Sequence, residues 1–196
     1  MEHYFSENPK SAEKKEVIRY RCKGHDFIFR TSSSVFSKSK VDIASDILIN
    51  KARIAKNSRI LDIGCGYGAI GIAIAFLNPG CKIVLSDLNE RAVRLAKENI
   101  GINGVKADIF QGNLFEHVPG MFDIILSNPP IHAGRDICFD IINKSYFHLE
   151  NNGTFQMVAR HSKGGKELSN HISRIFGNVE TLARKSGFHV YIGTKI

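Results

Sequence analysis

The chain has 196 residues, of which 43% are hydrophobic, and it carries a formal net charge of +8. This length suits a single domain with room for a sizeable core. No apolar stretch is long enough to cross a bilayer, and residues 1–16 are polar and charged. These features exclude a membrane-spanning protein, so we expect no membrane partner and a cytoplasmic location.

The four cysteines, Cys22, Cys65, Cys81 and Cys138, are far apart and never form a Cys-x-x-Cys pair. Zinc sites and disulfide frameworks depend on closer, regular spacing. We therefore predict reduced thiols and no bound metal.

Positive charge is concentrated at the two ends of the chain. Residues 1–56 and 158–196 each have a net charge of +5, whereas residues 57–157 have −2. This distribution is typical of a solvated surface or of a protein with a polyanionic partner such as RNA, and charge alone does not decide between them.

The predicted elements begin with a basic β-hairpin over residues 17–30, turning at Lys23 and Gly24, and a helix over 42–52. From residue 59 strands and helices alternate. The predicted strands are 60–63, 82–87, 107–111, 122–127 and 154–158, with a terminal antiparallel pair at 179–182 and 188–192. The predicted helices are 69–77, 90–100, 135–149 and 166–176.

This alternation predicts an α/β fold with a doubly wound, mostly parallel sheet of seven strands. We place an N-terminal basic extension with the hairpin at residues 1–34 and the main domain at residues 35–196. In such sheets ligands bind beyond the carboxyl ends of the strands. The unusual loops of this chain all lie at predicted strand ends.

The first of these loops follows the strand at 60–63. Gly64, Gly66 and Gly68 allow a sharp turn and a close approach of the backbone to a ligand, and the next helix points its free N–H groups into the loop. Residues 66–71 also match the Gly-x-Gly-x-x-Gly of nicotinamide or flavin sites, so this motif leaves both kinds of cofactor open.

Polar residues at the neighbouring strand ends add to the pattern. Asp87, which is 19 residues beyond Gly68, can accept hydrogen bonds from a ribose diol. Asn113 could form a hydrogen bond with the edge of an adenine ring, or it could simply be a turn residue. Asp62 precedes the glycines, where a dinucleotide site normally has an apolar residue, and a carboxylate there favours a cationic ligand.

The sequence Asn128-Pro129-Pro130 follows the fourth predicted strand. Two prolines cannot continue a ladder of hydrogen bonds, and they make the loop rigid. The Asn128 amide oxygen and a neighbouring carbonyl can then act as fixed acceptors for a planar amino group. An ordinary proline turn before a helix is the simpler alternative.

Together, the segment 62–68, Asp87, Asn113 and the segment 128–134 resemble the successive motifs of class I S-adenosylmethionine-dependent methyltransferases. The chain is most similar to the small-domain methyltransferases, which include the small-subunit ribosomal RNA guanine-N2 enzymes and archaeal single-domain relatives. The resemblance implies a Rossmann-like methyltransferase fold, S-adenosylmethionine as the cofactor and ribosomal RNA as the partner.

The resemblance also implies roles for individual residues. Asn128, Pro129 and Pro130 would hold the target amine. The cofactor would contact Phe36, Ser37, Asp62, Gly64, Gly66, Gly68, Asp87, Leu88, Asn113, Leu114 and Asn128. The substrate would contact Lys40, Ile131, His132 and Arg135. Independently of the resemblance, the positive charge of the hairpin and of the segment after it predicts phosphate contacts from Arg19, Arg21, Lys23, Arg30, Lys38 and Lys40.

The expected reaction is direct displacement by an exocyclic amine, for which guanine N2 of ribosomal RNA is the main candidate. Relatives that methylate adenine or protein glutamine often have an aromatic residue where this chain has Ile131. Methylation of a protein glutamine, adenine or a small molecule stays open. So do a nicotinamide-dependent oxidoreductase and a non-catalytic RNA-binding module.

Overall fold

A computed structural model describes residues 15–32, 40–130 and 134–196. Its elements in chain order are β1 (Lys15–Cys22), β2 (His25–Ser32), α1 (Ile43–Lys51), β3 (Arg59–Ile63), α2 (Ala69–Leu77), β4 (Lys82–Asp87), α3 (Glu90–Ile102), β5 (Ala107–Gln111), β6 (Phe122–Ser127), α4 (Arg135–His148), β7 (Leu149–Arg160), a π-helical turn (His161–Gly165), α5 (Lys166–Phe176), β8 (Glu180–Lys185) and β9 (Phe188–Thr194).

The main sheet has the strand order β5-β4-β3-β6-β7-β9-β8. Strands β3 to β7 are parallel, β9 runs antiparallel to β7, and β8 runs antiparallel to β9. Helices α1, α2 and α3 pack into one buried cluster, and α4 and α5 pack into a second cluster. The predicted doubly wound, mostly parallel sheet of seven strands is confirmed.

The central parallel strands β3, β4 and β6 are almost entirely buried because helices cover both of their faces. In β3, for example, Ile60, Leu61, Asp62 and Ile63 are all buried. Asp62 is thus a buried carboxylate between apolar neighbours in its strand. No helix in the described part of the chain is long and apolar enough to cross a membrane.

The N-terminal hairpin turns at Lys23 and Gly24, which have φ values of 48° and 84°. Positive φ at both turn residues gives the two-residue connection whose twist matches the paired strands. The inner face of the hairpin, with Phe27 and Phe29, belongs to the same buried cluster as α2 and α3. The proposed boundary at residue 34 stays a prediction.

Asn99, a fully buried residue of α3, connects the hairpin to the glycine loop. Its Oδ1 accepts the N–H of Arg30 at 2.7 Å, and its Nδ2 donates to the carbonyls of Arg30 at 2.9 Å and Tyr67 at 2.8 Å. One side chain thus joins β2, α3 and the loop after β3.

Candidate active site

The glycine loop after β3 is held in place by hydrogen bonds from its backbone to the next strand. The N–H groups of Gly64 and Cys65 both donate to the carbonyl of Ser86, at 2.9 and 3.0 Å. Gly64, Gly66 and Gly68 have φ values of 69°, 59° and 93°, a region that side chains with a Cβ rarely adopt. The loop therefore presents bare backbone beside the first turn of α2.

Asp62 lies below this loop and is 1% exposed. Its Oδ2 accepts the N–H of Gly71 at 2.8 Å, while its Oδ1 is buried without a hydrogen-bond partner among the described residues. Burial raises the pKa of Asp62 to about 7; the Gly71 N–H opposes this increase, and the Asp87 charge adds to it. An unpaired buried carboxylate oxygen is costly, and a cationic ligand would relieve that cost.

Gly71 provides a direct test of this packing. A Cβ on Gly71 would lie 2.9 Å from Leu85 Cγ and 3.1 Å from Asp62 Oδ2. We expect Gly71→Ala to lower the free energy of unfolding by about 1–3 kcal/mol, since over-packing a core displaces its neighbours. The measurement is urea unfolding followed by circular dichroism, because the chain has no Trp.

The control is Gly101→Ala in α3, where a Cβ would meet nothing within 4 Å. There the same substitution should raise the free energy of unfolding by up to about 1 kcal/mol. If both variants were equally stable, the space around Gly71 would be larger than the structure indicates.

Asp87 ends β4 and is buried with both oxygens directed at backbone N–H groups. Oδ2 accepts from Gly66 at 2.8 Å and Oδ1 accepts from Asn89 at 2.9 Å. These bonds fix the orientation of the Asp87 carboxylate at the carboxyl end of β4, beside the glycine loop. The adjacent Leu88 is half-buried.

The loop after β5 contributes Asn113 and Leu114. Asn113 is exposed in a turn, in which its N–H donates to Glu116 Oε2 at 3.2 Å. Leu114 has φ 57°, and its carbonyl accepts the hydroxyl of Ser86 at 3.2 Å. The loop after β5 is therefore joined to the strand that holds the glycine loop.

Asn128 follows β6 directly and is half-buried. Its Nδ2 donates to Asp42 Oδ1 at 3.2 Å and to Ser45 Oγ at 3.0 Å, both at the N-terminus of α1. Pro129 is buried and Pro130 is half-buried. The predicted rigid loop thus lies at the same sheet edge as the other three loops.

Several residues at this edge were not predicted from the sequence. Asp42 was predicted only as the start of a helix, and its position three residues before Ser45 is typical of a helix cap. Nothing in the sequence indicates that both residues contact Asn128, which is more than 80 residues away. Tyr67, in the glycine loop, is a second residue of this edge that was not predicted. Its hydroxyl is buried and has no hydrogen-bond partner among the described residues. Burial and the nearby Asp42 charge raise the pKa of Tyr67.

Other predicted residues are exposed near the N-terminal ends of α1 and α4 or fall outside the described residues. Arg135 begins α4 and forms an exposed ion pair with Glu167 at 3.0 Å. Lys40 is exposed before α1. Phe36, Ser37, Lys38, Ile131 and His132 fall outside the described residues. Within the described residues, no group of three or more His, Cys, Asp or Glu side chains is placed to hold a metal ion.

The site fits S-adenosylmethionine on two observations. Asp62 Oδ1 is a buried acceptor in need of a donor, and Tyr67 Oη is a buried donor in need of an acceptor. The methionine part of S-adenosylmethionine has an ammonium group, which can donate to Asp62, and a carboxylate, which can accept from Tyr67. Fold and site together define a Rossmann-like methyltransferase that uses S-adenosylmethionine.

The comparisons with known proteins agree. The profile of the family "Methyltransferase small domain" matches residues 26–192. The chain is 36% identical to the uncharacterized protein YbxB of Bacillus subtilis, covering 100% of this chain and 99% of that protein. It is 31% identical to ribosomal RNA small subunit methyltransferase C of Cronobacter sakazakii, covering 85% of this chain and 49% of that protein.

Among solved structures, it resembles a T. thermophilus 16S rRNA N2 methyltransferase (RsmC) in complex with AdoMet and guanosine. The TM-score is 0.82 with 24% identity, over 96% of this chain and 52% of that one. The chain thus spans about half the length of the ribosomal RNA methyltransferases that it matches. It belongs to the methyltransferase small domain family. This family does not support the nicotinamide interpretation of residues 66–71.

Proposed function

We propose that the protein transfers the methyl group of S-adenosylmethionine to an exocyclic amine of an RNA base, with guanine N2 of ribosomal RNA as the preferred target. The observation that carries the proposal is the orientation of the Asn128 side-chain amide. Both hydrogens of its amide are used inside the protein, so Oδ1 is the atom left to accept from an amine.

The roles of the chain's residues follow from their chemistry. S-adenosylmethionine supplies an electrophilic methyl group on a sulfonium, which is already a good leaving group. Asn128 Oδ1 and the adjacent backbone carbonyl would accept both hydrogens of the target amine, draw its nitrogen out of conjugation and free its lone pair. Preorganised acceptors of this kind need no reorientation during the reaction.

The remaining site residues would hold the cofactor. Asp62 would accept from its ammonium group, Asp87 from its ribose hydroxyls, and the backbone of Gly64, Gly66 and Gly68 would lie along its methionine part. Phe36, Ser37, Leu88, Asn113 and Leu114 are proposed to complete the pocket. No strong general base is needed, because an amine nitrogen with four bonds loses its proton readily.

The choice of RNA rests on two further points. Several relatives that the chain matches over about half of their length are named as ribosomal RNA methyltransferases, and one solved structure is described with guanosine bound. Ile131 also takes the position after the two prolines, where adenine and glutamine enzymes often have an aromatic ring. We propose Ile131, His132, Lys40 and Arg135 as contacts for the flipped base and its neighbours.

The deciding experiment incubates the protein with methyl-labelled cofactor and, separately, ribosomal RNA, transfer RNA or protein, then digests the products to nucleosides or amino acids. We expect label on N2-methylguanosine from ribosomal RNA. Label on adenosine or on glutamine would mean that the protein methylates that substrate in place of guanine. If none of the three substrates were labelled, the proposed reaction would be contradicted.

RNA binding should depend on cations at the site edge. Arg160 and Lys163 are exposed at the carboxyl end of β7, beside β6 and Asn128, and Arg160 lies over the Phe188 ring at 4.9 Å. The hairpin turn instead lies near the C-terminal end of α2, where His25 contacts Phe76 at 5.1 Å. Since α2 starts at the glycine loop, the turn lies near the opposite end of this helix, and we expect it to be far from the target base.

We therefore expect Arg160→Glu with Lys163→Glu to weaken RNA affinity more than Arg21→Glu with Lys23→Glu, although both change the net charge equally. The affinity of the unaltered protein should fall about tenfold between about 50 and 200 mM salt if two or three phosphates are contacted. Filter binding over a salt series measures both effects. A larger loss in the hairpin variant would move the main phosphate contacts to β1 and β2.

A further inference from the structure

The N-terminus of α1 fixes the orientation of the Asn128 amide. Asp42 is the N-cap of α1, and its Oδ1 accepts the N–H of Ser45 at 3.0 Å. The same Oδ1 accepts from Asn128 Nδ2 at 3.2 Å, and Ser45 Oγ accepts from that nitrogen at 3.0 Å. Asp42 and Ser45 therefore accept both hydrogens of the Asn128 side-chain amide, although Asn128 is more than 80 residues away in the chain.

This arrangement permits one amide orientation. A carboxylate has no hydrogen to donate, so Asp42 can face the NH₂ group of Asn128 but would repel its oxygen. Rotating the amide by half a turn would bring Oδ1 against Asp42 Oδ1 and leave two N–H groups directed at the target amine. Such donors cannot accept from an amine, so the rotated form could not perform the proposed reaction.

We propose that Asp42 and Ser45 are positioning residues for methyl transfer, which keep Asn128 Oδ1 directed at the substrate amine. This inference rests on the proposed function of Asn128 and extends it to α1. Ser45 is 5% exposed, and Asp42 is half-buried, so solvent competes little for the Ser45 contact. A restraint of this kind acts on turnover and leaves the contacts of the cofactor with the glycine loop unchanged.

The main test is Ser45→Ala, which removes one acceptor and leaves the backbone bond from Ser45 to the helix cap intact. We expect kcat to fall by about ten- to a hundredfold, because small misplacements of a positioning group have effects of that size. The Kd for the cofactor should stay within about twofold. Asp42→Asn, which keeps an oxygen that can accept both bonds and a good helix cap, should retain most of the turnover.

Ser145→Ala is the matched control. Ser145 is, like Ser45, a buried helical serine, but its hydroxyl donates to the Ile141 carbonyl at 2.7 Å within α4. A merely structural role for Ser45 predicts that both serine variants lower the melting temperature alike and leave kcat unchanged. That result would overturn the proposal.

A second measurement does not depend on activity. In protein labelled with ¹⁵N-asparagine, the Asn128 side-chain amide should exchange its hydrogens slowly, and Ser45→Ala should accelerate that exchange. Unchanged exchange in Ser45→Ala would overturn the inference. If the unaltered protein methylates no RNA while Ser45→Ala accelerates the exchange, the proposed function fails and the contact with α1 stands.

Discussion

Replacing Asn128 by alanine is expected to lower kcat for methyl transfer by at least about 10²- to 10³-fold, the usual effect of removing one preorganised hydrogen-bonding group. The substitution removes the oxygen proposed to accept from the target amine. It also leaves Asp42 and Ser45 without the donor that they share. Single-turnover transfer of labelled methyl to ribosomal RNA measures the loss.

Cofactor affinity should change little in the same variant, because the contacts proposed for the cofactor come mainly from the loops after β3, β4 and β5. Isothermal titration with S-adenosylmethionine tests this, and Asn170→Ala on the exposed side of α5 is the control for loss of an asparagine. A variant with normal turnover, or one that loses only cofactor affinity, would contradict the role given to Asn128.

Asp62→Asn should have two opposite effects, one on binding and one on stability. The carboxylate is proposed to accept from the cofactor ammonium, and losing this charge-assisted bond should raise the cofactor Kd by about 10- to 100-fold. The protein without cofactor should become more stable at pH 8. There the folded state holds a buried carboxylate whose Oδ1 has no partner among the described residues.

The sign follows from the pKa. Burial raises it from 3.8 to about 7, so between these values the folded state binds a proton that the unfolded state has released. Stability therefore declines as pH rises from about 4 to 7, by up to about 4 kcal/mol in total. The advantage of Asp62→Asn in free energy of unfolding should be largest at pH 8 and smaller by about 2–3 kcal/mol at pH 5.

Cofactor binding by the unaltered protein should show the corresponding pH dependence. If only the ionised carboxylate binds the ammonium, the Kd should be about tenfold weaker at pH 6 than at pH 8. Asp108→Asn, an exposed aspartate on β5, is the control and should change neither quantity. If Asp62→Asn bound the cofactor with normal affinity, the proposed contact between Asp62 and the cofactor ammonium group would be wrong.

Most of the fold could be predicted because its strands and helices have distinct apolar patterns between clear turn residues. The structure has the predicted bounds for α2, β4, β5 and β6. The strand β7 was predicted as 154–158 but runs over Leu149–Arg160. Asn152 and Gly153 resemble a loop in sequence, yet they pair with the distant Lys195 at 2.8 and 2.9 Å, so only tertiary contacts reveal the longer strand.

The site was predictable at the level of single loops because glycines, prolines and carboxylates have recognisable roles at strand ends. The connections between loops were not. The bond from Gly71 to Asp62 and the bonds from Asn128 to Asp42 and Ser45 join parts of the chain that no local pattern relates. The residues that orient a predicted group therefore had to come from the structure.

Asn99 affects how experiments on the hairpin are interpreted. Since this buried amide bonds to Arg30 in β2 and to Tyr67 in the glycine loop, disturbance of the hairpin can be transmitted to the methyl donor's pocket without any nucleic acid present. A slow enzyme with a substituted hairpin is thus ambiguous evidence for lost RNA contact, until its donor affinity has been measured alone.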